Sequence, residues 1–199
     1  MQPAGTAKAP ARSGAGRLQT IAVIAVTAVV IGALAFFVGG GTGGDGVTKV
    51  DLKGAVAGEP PKVGSIPPGF TAKTWDGKTV SLADYAGKPI WLTFGASWCP
   101  DCRTEAADVE ATYLKYQPKG LNLLAVFISE PASDVQGYAQ RAGLTFPIAV
   151  DTNTLIASTY RTLGIPTHFF IGADGTIKQV VIGALHADDM DRDVAAIMN

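Results

Sequence analysis

Two cysteines separated by two residues constrain this chain more than any other feature. Cys99 and Cys102 are its only cysteines in 199 residues, and they stand in the segment Trp98-Cys99-Pro100-Asp101-Cys102. At this spacing one turn of helix holds both sulfurs close enough to form a disulfide, and the helix dipole favours the thiolate nearer the helix N-terminus. The pair therefore predicts one dithiol/disulfide couple at the start of a helix.

The residues around the cysteines predict where that helix lies. The apolar run Pro89 to Phe94 indicates a buried strand that ends at the cysteine loop. Good helix formers, with acidic residues early and a lysine late, indicate a helix from Asp101 to Tyr116. The pattern continues with strand 121–128, helix 132–141, strand 146–150, helix 153–160, strands 168–171 and 177–182, and a helix from about 187 to 198. Such alternation predicts an α/β sandwich with a mixed sheet.

Other uses of the cysteine pair fit the residues less well. A structural zinc ion requires four ligands, and beyond the cysteines the sequence offers only His168 and His186. A purely structural disulfide would close a two-residue loop, which constrains the unfolded chain much less than a bridge between distant cysteines. A peroxide-reducing site would need Thr and Pro three and seven residues before the attacking cysteine, where this chain has Ala96 and Leu92. Redox catalysis by thiol exchange is the favoured interpretation.

Further motifs match one family over the whole domain. They are Phe70-Thr71, Trp75 to Leu82, Gly87 to Pro89, Trp98 to Glu105, Phe146-Pro147, Asp151, Gly164 to Thr167 and Asp174-Gly175. From about Val63 to its C-terminus the chain thereby resembles the membrane-anchored, extracytoplasmic thioredoxin-like reductases of the TlpA and ResA type. The resemblance implies a thioredoxin-like α/β fold with a central mixed β-sheet flanked by helices.

The resemblance also implies catalytic roles. Cys99, whose counterpart is the exposed sulfur in family members, is the expected nucleophile, and Cys102 resolves the mixed disulfide that it forms. The buried strand aspartate of ordinary thioredoxins maps to Thr93, so the resemblance implies that Glu105 exchanges the proton of Cys102 instead. The alternative for Glu105 is a solvated first-turn glutamate that favours the helix dipole.

Three residues are implied to contact the substrate. In the family the proline that matches Pro166 is cis and packs beside the cysteines, and the backbone of the preceding residue, here Ile165, pairs with the substrate peptide. The alternative for Pro166 is an ordinary trans turn residue. Trp98 either stacks on partner peptides or packs the loop. The sequence gives His168 no functional role, because a lone histidine on a strand is commonly structural.

The N-terminal region predicts a membrane anchor. Leu18 to Val38 is 21 residues without a charge, which is long enough for a helix to cross a hydrocarbon core of ~30 Å. Residues 1–17 carry three basic residues and no acidic one, which predicts a cytoplasmic tail and a single-pass protein whose redox domain is extracytoplasmic. Ala33-Leu34-Ala35 leaves open a cleaved signal peptide, although the apolar run continues beyond it.

The remaining composition separates a tether from one redox domain. Residues 39–66 are rich in Gly and Pro and poor in large apolar residues, so they predict a flexible tether, and 67–199 suits a single domain. A formal net charge of −1 argues against nucleic-acid binding.

Together these observations predict an extracytoplasmic thiol-disulfide oxidoreductase that reduces protein disulfides through Cys99 and Cys102. No nicotinamide or flavin fingerprint occurs, so no cofactor is expected and electrons are expected to arrive from a membrane-embedded thiol carrier. The resemblance adds apocytochrome c to the expected clients. Two alternatives stay open: a disulfide donor, and a copper chaperone that binds Cu(I) through both sulfurs with help from His168.

Overall fold

The computed structural model of the protein describes residues 49–51 and 59–198. The described strands are β1 (Lys49–Asp51), β2 (Gly69–Lys73), β3 (Thr79–Ser81), β4 (Ile90–Gly95), β5 (Asn122–Ile128), β6 (Ile148–Asp151), β7 (Thr167–Ile171) and β8 (Ile177–Ile182). The α-helices are α1 (Pro100–Tyr116), α2 (Ala132–Ala142), α3 (Leu155–Thr159) and α4 (Ala187–Ile197). Short 3-10 helices span Leu82–Tyr85 and Gln117–Lys119.

A five-stranded sheet in the order β6-β5-β4-β7-β8 forms the centre of the domain. Strands β4, β5 and β6 run parallel, whereas β7 pairs antiparallel with both β4 and β8. The predicted α/β architecture with a mixed sheet is therefore confirmed. A second, antiparallel sheet has the order β1-β2-β3.

The central sheet is buried on both faces. Successive side chains of a strand point to opposite faces, so β4, β5 and β7 each contribute to two apolar layers. One layer lies with α1, α2 and α4 and contains Trp91, Leu123, Phe127 and Phe170 among others. The other lies with β2, β3 and α3 and contains Leu92, Phe94, Leu124 and Phe169. Burial on both faces explains why these strands read as continuous apolar runs in the sequence.

Strand β4 places the cysteine loop. All six of its residues are buried, and it is held by hydrogen bonds to β5 on one side and β7 on the other. Four residues separate its last residue, Gly95, from Pro100, where α1 begins. Proline is well suited to the first position of a helix, because the missing N–H has no partner there anyway. The cysteine loop is therefore positioned at one end by the strand and at the other by the helix.

Backbone pairing is also found on the N-terminal side of the predicted boundary at residue 67. Strand β1 lies within the segment 39–66 that the sequence predicts to be a tether, and it pairs with β2. Nearer the boundary, the Gly64 N–H donates to the Ile177 carbonyl oxygen at 2.8 Å, and the Ile177 N–H donates to Ser65 O at 2.9 Å. Composition misses these contacts because they are made by the backbone, which needs no apolar side chain.

The predicted membrane helix, residues 18–38, and the predicted tail, residues 1–17, lie outside the described residues. Across 49–51 and 59–198, no helix combines the length and the apolar character that crossing a bilayer demands.

Candidate active site

Cys99 and Cys102 are joined in a disulfide at the N-terminus of α1, with their Cα atoms 5.3 Å apart. Cys99 is the N-cap residue, and its Sγ accepts a hydrogen bond from the Cys102 N–H at 3.2 Å. This N–H belongs to the first turn of the helix, where backbone donors have no partner within the helix. A thiolate at Cys99 Sγ would therefore keep a backbone donor and the positive end of the helix dipole.

Both cysteines are nearly buried in the disulfide form. Cys99 is 3% exposed and Cys102 is 8% exposed. The physical reason is packing, because both cysteines cluster with Ala96 and the side chain of Ile165 packs against them.

The segment around Pro166 lies directly beside Cys99. The Ile165-Pro166 peptide bond is cis, which confirms the geometry that the resemblance implied. The carbonyl oxygen of Ile165 lies 3.7 Å from Cys99 Sγ, although 66 residues separate the two in sequence. A substrate sulfur that approaches Cys99 therefore meets the backbone of Ile165 at the same time.

Glu105 follows Cys102 by one turn of α1 and is buried, with 5% of its surface exposed. One carboxylate oxygen, Oε2, accepts a hydrogen bond from the Leu185 N–H at 2.9 Å. The other, Oε1, lies 3.4 Å from Nε2 of His168. The alternative of a solvated first-turn glutamate is therefore wrong, and the carboxyl group faces the interior of the domain.

A small cavity joins this carboxyl group to the resolving cysteine. Its volume is about 30 Å³, and its walls include Cys102, Glu105 and Pro166. Apolar side chains supply most of the remaining wall, namely Phe94, Ala106, Val109, Ala125, Phe127, Leu144 and Phe146. Cys102 and Glu105 both line this cavity, so a proton can pass between them within it.

Tyr138 lines the same cavity and is buried. Burial raises the pKa of its hydroxyl; the charge of Arg103 opposes this, and the carboxylates of Glu105 and Glu130 raise the pKa further. The phenol consequently stays protonated at neutral pH and keeps a hydrogen that it can donate.

His168 is a contact that sequence reasoning missed. It is fully buried on β7, opposite Thr93 of β4, and its ring stands between Glu105 and the side chain of Trp91. The sequence shows the strand but not which strand pairs with it. Thr93 itself was the available signal, since it stands where ordinary thioredoxins have their buried aspartate.

Glu130 is a second residue that sequence reasoning missed. It follows β5, is 4% exposed, and holds the loop that precedes the cysteines. Its Oε1 accepts a hydrogen bond from the Ser97 N–H at 2.7 Å, and its Oε2 accepts another from the Ser97 hydroxyl. The preceding Ser129 has a φ of 58°, which turns the chain sharply between β5 and Glu130. No sequence pattern distinguishes this glutamate from a solvated one.

Trp98 lies at the rim of the site and is 54% exposed. Leu163 and Ile182, at 92% and 65%, are further exposed apolar residues. Leu163 is three residues before Pro166 in sequence, and Ile182 is brought close to Pro166 by the hydrogen bond from the Gly183 N–H to Pro166 O. The side chain of Trp98 is thus available for contact with a partner and is not needed to fill the core.

Within the described ranges, no three His, Cys, Asp or Glu side chains come together in a way that could hold a metal ion.

The match to a family model decides the family. Residues 63–180 match the model of the AhpC/TSA family, which is more than half of the chain. The chain belongs to the AhpC/TSA family. It is a ResA-like thiol-disulfide oxidoreductase, as its curated relatives indicate.

One relative of this ResA-like protein is the thiol-disulfide oxidoreductase ResA of Geobacillus kaustophilus. The two are 35% identical over 135 residues, which cover 68% of this chain and 78% of the relative. ResA of Bacillus anthracis is 33% identical over 122 residues, covering 61% of this chain and 70% of the relative.

Solved structures support the thioredoxin-like fold of the ResA-like chain. A thiol:disulfide interchange protein of Chlorobium tepidum TLS is 30% identical with a TM-score of 0.62, covering 72% of this chain and 100% of that one. A secreted disulfide oxidoreductase of Mycobacterium tuberculosis, homologous to E. coli DsbE, is 27% identical with a TM-score of 0.60, covering 64% of this chain and 95% of that one.

Proposed function

We propose that this ResA-like oxidoreductase reduces disulfides of exported proteins at the outer face of the cytoplasmic membrane, with apocytochrome c among its clients. Electrons reach it from a membrane-embedded thiol carrier by thiol exchange. The observation that carries the proposal is the joint placement of the cysteine disulfide, cis-Pro166 and the buried Glu105 at one end of β4. No other redox group is required.

The chemistry has two steps, and both use these residues. The Cys99 thiolate attacks a substrate disulfide, forms a mixed disulfide and releases one substrate thiolate, which takes a proton from solvent. Cys102 then loses its proton to the Glu105 carboxylate, and its thiolate attacks Cys99 Sγ, which breaks the bond to the substrate. The result is the Cys99-Cys102 disulfide and a second substrate thiolate, which receives the proton that Glu105 accepted from Cys102. Two electrons have then passed to the substrate, with one proton from Cys102 and one from solvent.

The placement of Ile165 supports a protein or peptide substrate. Its carbonyl oxygen is an acceptor beside Cys99. An extended peptide can donate a backbone N–H to it while its disulfide meets the sulfur, which is how a strand adds to an exposed backbone. Trp98, half-exposed at the rim, offers an aromatic surface to the same peptide.

Charges next to the sulfurs support the direction of reduction. Asp101 puts a negative charge between the two cysteines, which opposes formation of a thiolate, whereas Arg103 favours it. A strong disulfide donor owes its oxidising potential to an unusually stabilised reduced form. With the two charges in opposition, the Cys99 thiolate is stabilised moderately, as suits a reductase.

The N-terminal sequence supports the location. The 21 uncharged residues from Leu18 to Val38 are long enough to anchor the chain, and the basic residues 8, 12 and 17 favour a cytoplasmic N-terminus.

The reduction potential of the Cys99-Cys102 couple tests the proposed direction. We expect a value near or below about −220 mV when the protein is equilibrated against dithiothreitol and glutathione buffers. A value near about −120 mV would show a disulfide donor instead. Cys102→Ser should accumulate a mixed disulfide with exported proteins, and the matched Cys99→Ser variant should not. Equal trapping by both variants would contradict the assignment of Cys99 as the nucleophile.

A further inference from the structure

His168 has its two ring nitrogens in different environments. Nδ1 lies 3.2 Å from the indole Nε1 of Trp91 and 3.0 Å from the hydroxyl oxygen of Thr93. Nε2 lies 3.4 Å from Oε1 of Glu105. The ring is completely buried, so solvent cannot replace any of these partners. The contacts of the ring therefore determine where its hydrogen lies.

The neighbours of Nδ1 assign the tautomer. An indole N–H can only donate a hydrogen bond, so Nδ1 beside Trp91 accepts one and carries no hydrogen. The neutral ring then has its hydrogen on Nε2, which points toward Glu105. A doubly protonated ring would direct a second N–H at the indole N–H, and that arrangement is unfavourable. The hydrogen-bond network thus favours the neutral ring with Nε2–H.

The carboxylate of Glu105 has a donor on each side. Oε2 already accepts the Leu185 N–H, and Oε1 is the oxygen that faces His168. At 3.4 Å the Nε2 to Oε1 separation exceeds an ordinary hydrogen bond, and Nε2 has no other hydrogen-bond partner within the described residues. A buried N–H without a partner is costly, and a shift of a few tenths of an ångström would complete the bond.

We propose that His168 is a positioning residue for Glu105, an inference that rests on the proposed function. The Leu185 N–H holds one carboxylate oxygen, and the small shift that completes the Nε2–H bond holds the other, which fixes the carboxylate in the cavity that it shares with Cys102. The fixed carboxylate accepts the Cys102 proton while the electron pair remains on the sulfur that attacks Cys99. His168 does not exchange the proton itself, because its other nitrogen is occupied by Trp91.

This role predicts an effect on one step only. The attack by Cys99 precedes any proton transfer to Glu105, so loss of His168 should leave that attack unchanged. Resolution by Cys102 should slow by about tenfold, the size of effect that the loss of a supporting partner commonly has in metal sites. A merely structural role would alter both steps through the shared loop.

The experiment uses the reduced full-length protein and 5,5′-dithiobis(2-nitrobenzoate) as the probe. One equivalent of thionitrobenzoate is released when Cys99 attacks, and a second is released when Cys102 resolves the mixed disulfide, so stopped-flow absorbance separates the two rates. Two matched variants test the two ring nitrogens of His168 separately. His168→Gln keeps an N–H at the position of Nε2, and His168→Asn keeps a polar group near Nδ1 but none near Glu105.

We expect His168→Gln to resolve within about twofold of the wild-type rate and His168→Asn to resolve about tenfold more slowly, with equal attack rates in both. His168→Phe, which fills the space without either nitrogen, should behave like His168→Asn. In a Glu105→Gln background, where resolution is already slow, His168→Asn should add less than about a twofold effect.

The inference would be overturned if His168→Gln and His168→Asn resolved the mixed disulfide at equal rates. It would also be overturned if His168→Asn slowed resolution as much in the Glu105→Gln background as it does alone. These results are separate from the test of the proposed function, because the probe is a small disulfide. If the wild type fails to reduce any protein disulfide while the variants differ as expected, the proposed function fails and the role of His168 in resolution stands.

Discussion

Replacing Glu130 by glutamine should destabilise the domain although the residue lies outside the cysteine motif. The carboxylate accepts hydrogen bonds from both the N–H and the hydroxyl of Ser97. Hydrogen bonds to charged groups contribute about 1.5–3 kcal/mol each, and the lower end applies because Ser97 is only partly buried. Glutamine keeps one acceptor oxygen and loses the other, so we expect a loss of about 2 kcal/mol.

Urea unfolding of the disulfide form measures this loss. With a slope of about 2 kcal/mol per molar urea, the midpoint should fall by about 1 M. Ser97→Ala removes only the hydroxyl bond and should cost about 1.5 kcal/mol. Asp108→Asn, an exposed change on α1, is the control and should stay within about 0.5 kcal/mol of the wild type.

The double variant Glu130→Gln/Ser97→Ala tests whether the two residues act together. If they do, the two losses should overlap by about 1 kcal/mol, because the hydroxyl bond cannot be lost twice. The reasoning would be refuted if the two losses of unfolding free energy were strictly additive. It would also be refuted if the urea midpoint of Glu130→Gln equalled that of Asp108→Asn.

Two further changes have consequences that solution measurements can check. The buried Tyr160 hydroxyl donates a hydrogen bond to the Pro68 carbonyl oxygen at 2.6 Å. Tyr160→Phe leaves that oxygen without its partner, so the free energy of unfolding measured in urea should fall by about 1–2 kcal/mol. An unchanged urea midpoint would contradict this. Lys178 lowers the pKa of the exposed Asp174 carboxyl to about 2. The stabilisation by the ionised Asp174 is therefore present above pH 3.8 and is lost as the pH falls toward 2. Asp174→Asn should therefore destabilise slightly at pH 6 and be neutral near pH 2 in thermal unfolding, and an equal effect at both values would show that the pair is not responsible.

The elements of the fold were predictable where the sequence pattern itself decides them. The strand that becomes β4 and the helix α1 were predicted to within a residue or two, because one is continuously apolar and the other has acidic residues early. Strand β6 begins at Ile148 and not at 146, since Pro147 has no N–H to donate to a ladder. The short α3, Leu155–Thr159, is also narrower than its predicted range of 153–160.

The candidate site was predictable only in part, since most of its contacts join distant residues. The cysteine pair is local, and its spacing alone predicted the disulfide. The burial of Glu105 followed from the resemblance and not from helix periodicity. His168 was missed because its contact with Trp91 spans 77 residues, and Glu130 because its contact with Ser97 spans 33. Only strand pairing and loop packing, which the sequence does not display, bring these groups together.

The residues of the site are far apart in sequence, so the reactivity of the thiols depends on folding. The sulfurs and Glu105 belong to one short segment, but the Ile165 oxygen comes from 66 residues beyond Cys99, and the Leu185 N–H from 80 residues beyond Glu105. An unfolded chain therefore carries an ordinary dithiol, and the groups that distinguish this one reach it only when the segments before β7 and before α4 are folded against the cysteine loop and α1. The rate of disulfide exchange at Cys99 is consequently itself a measure of the folded state.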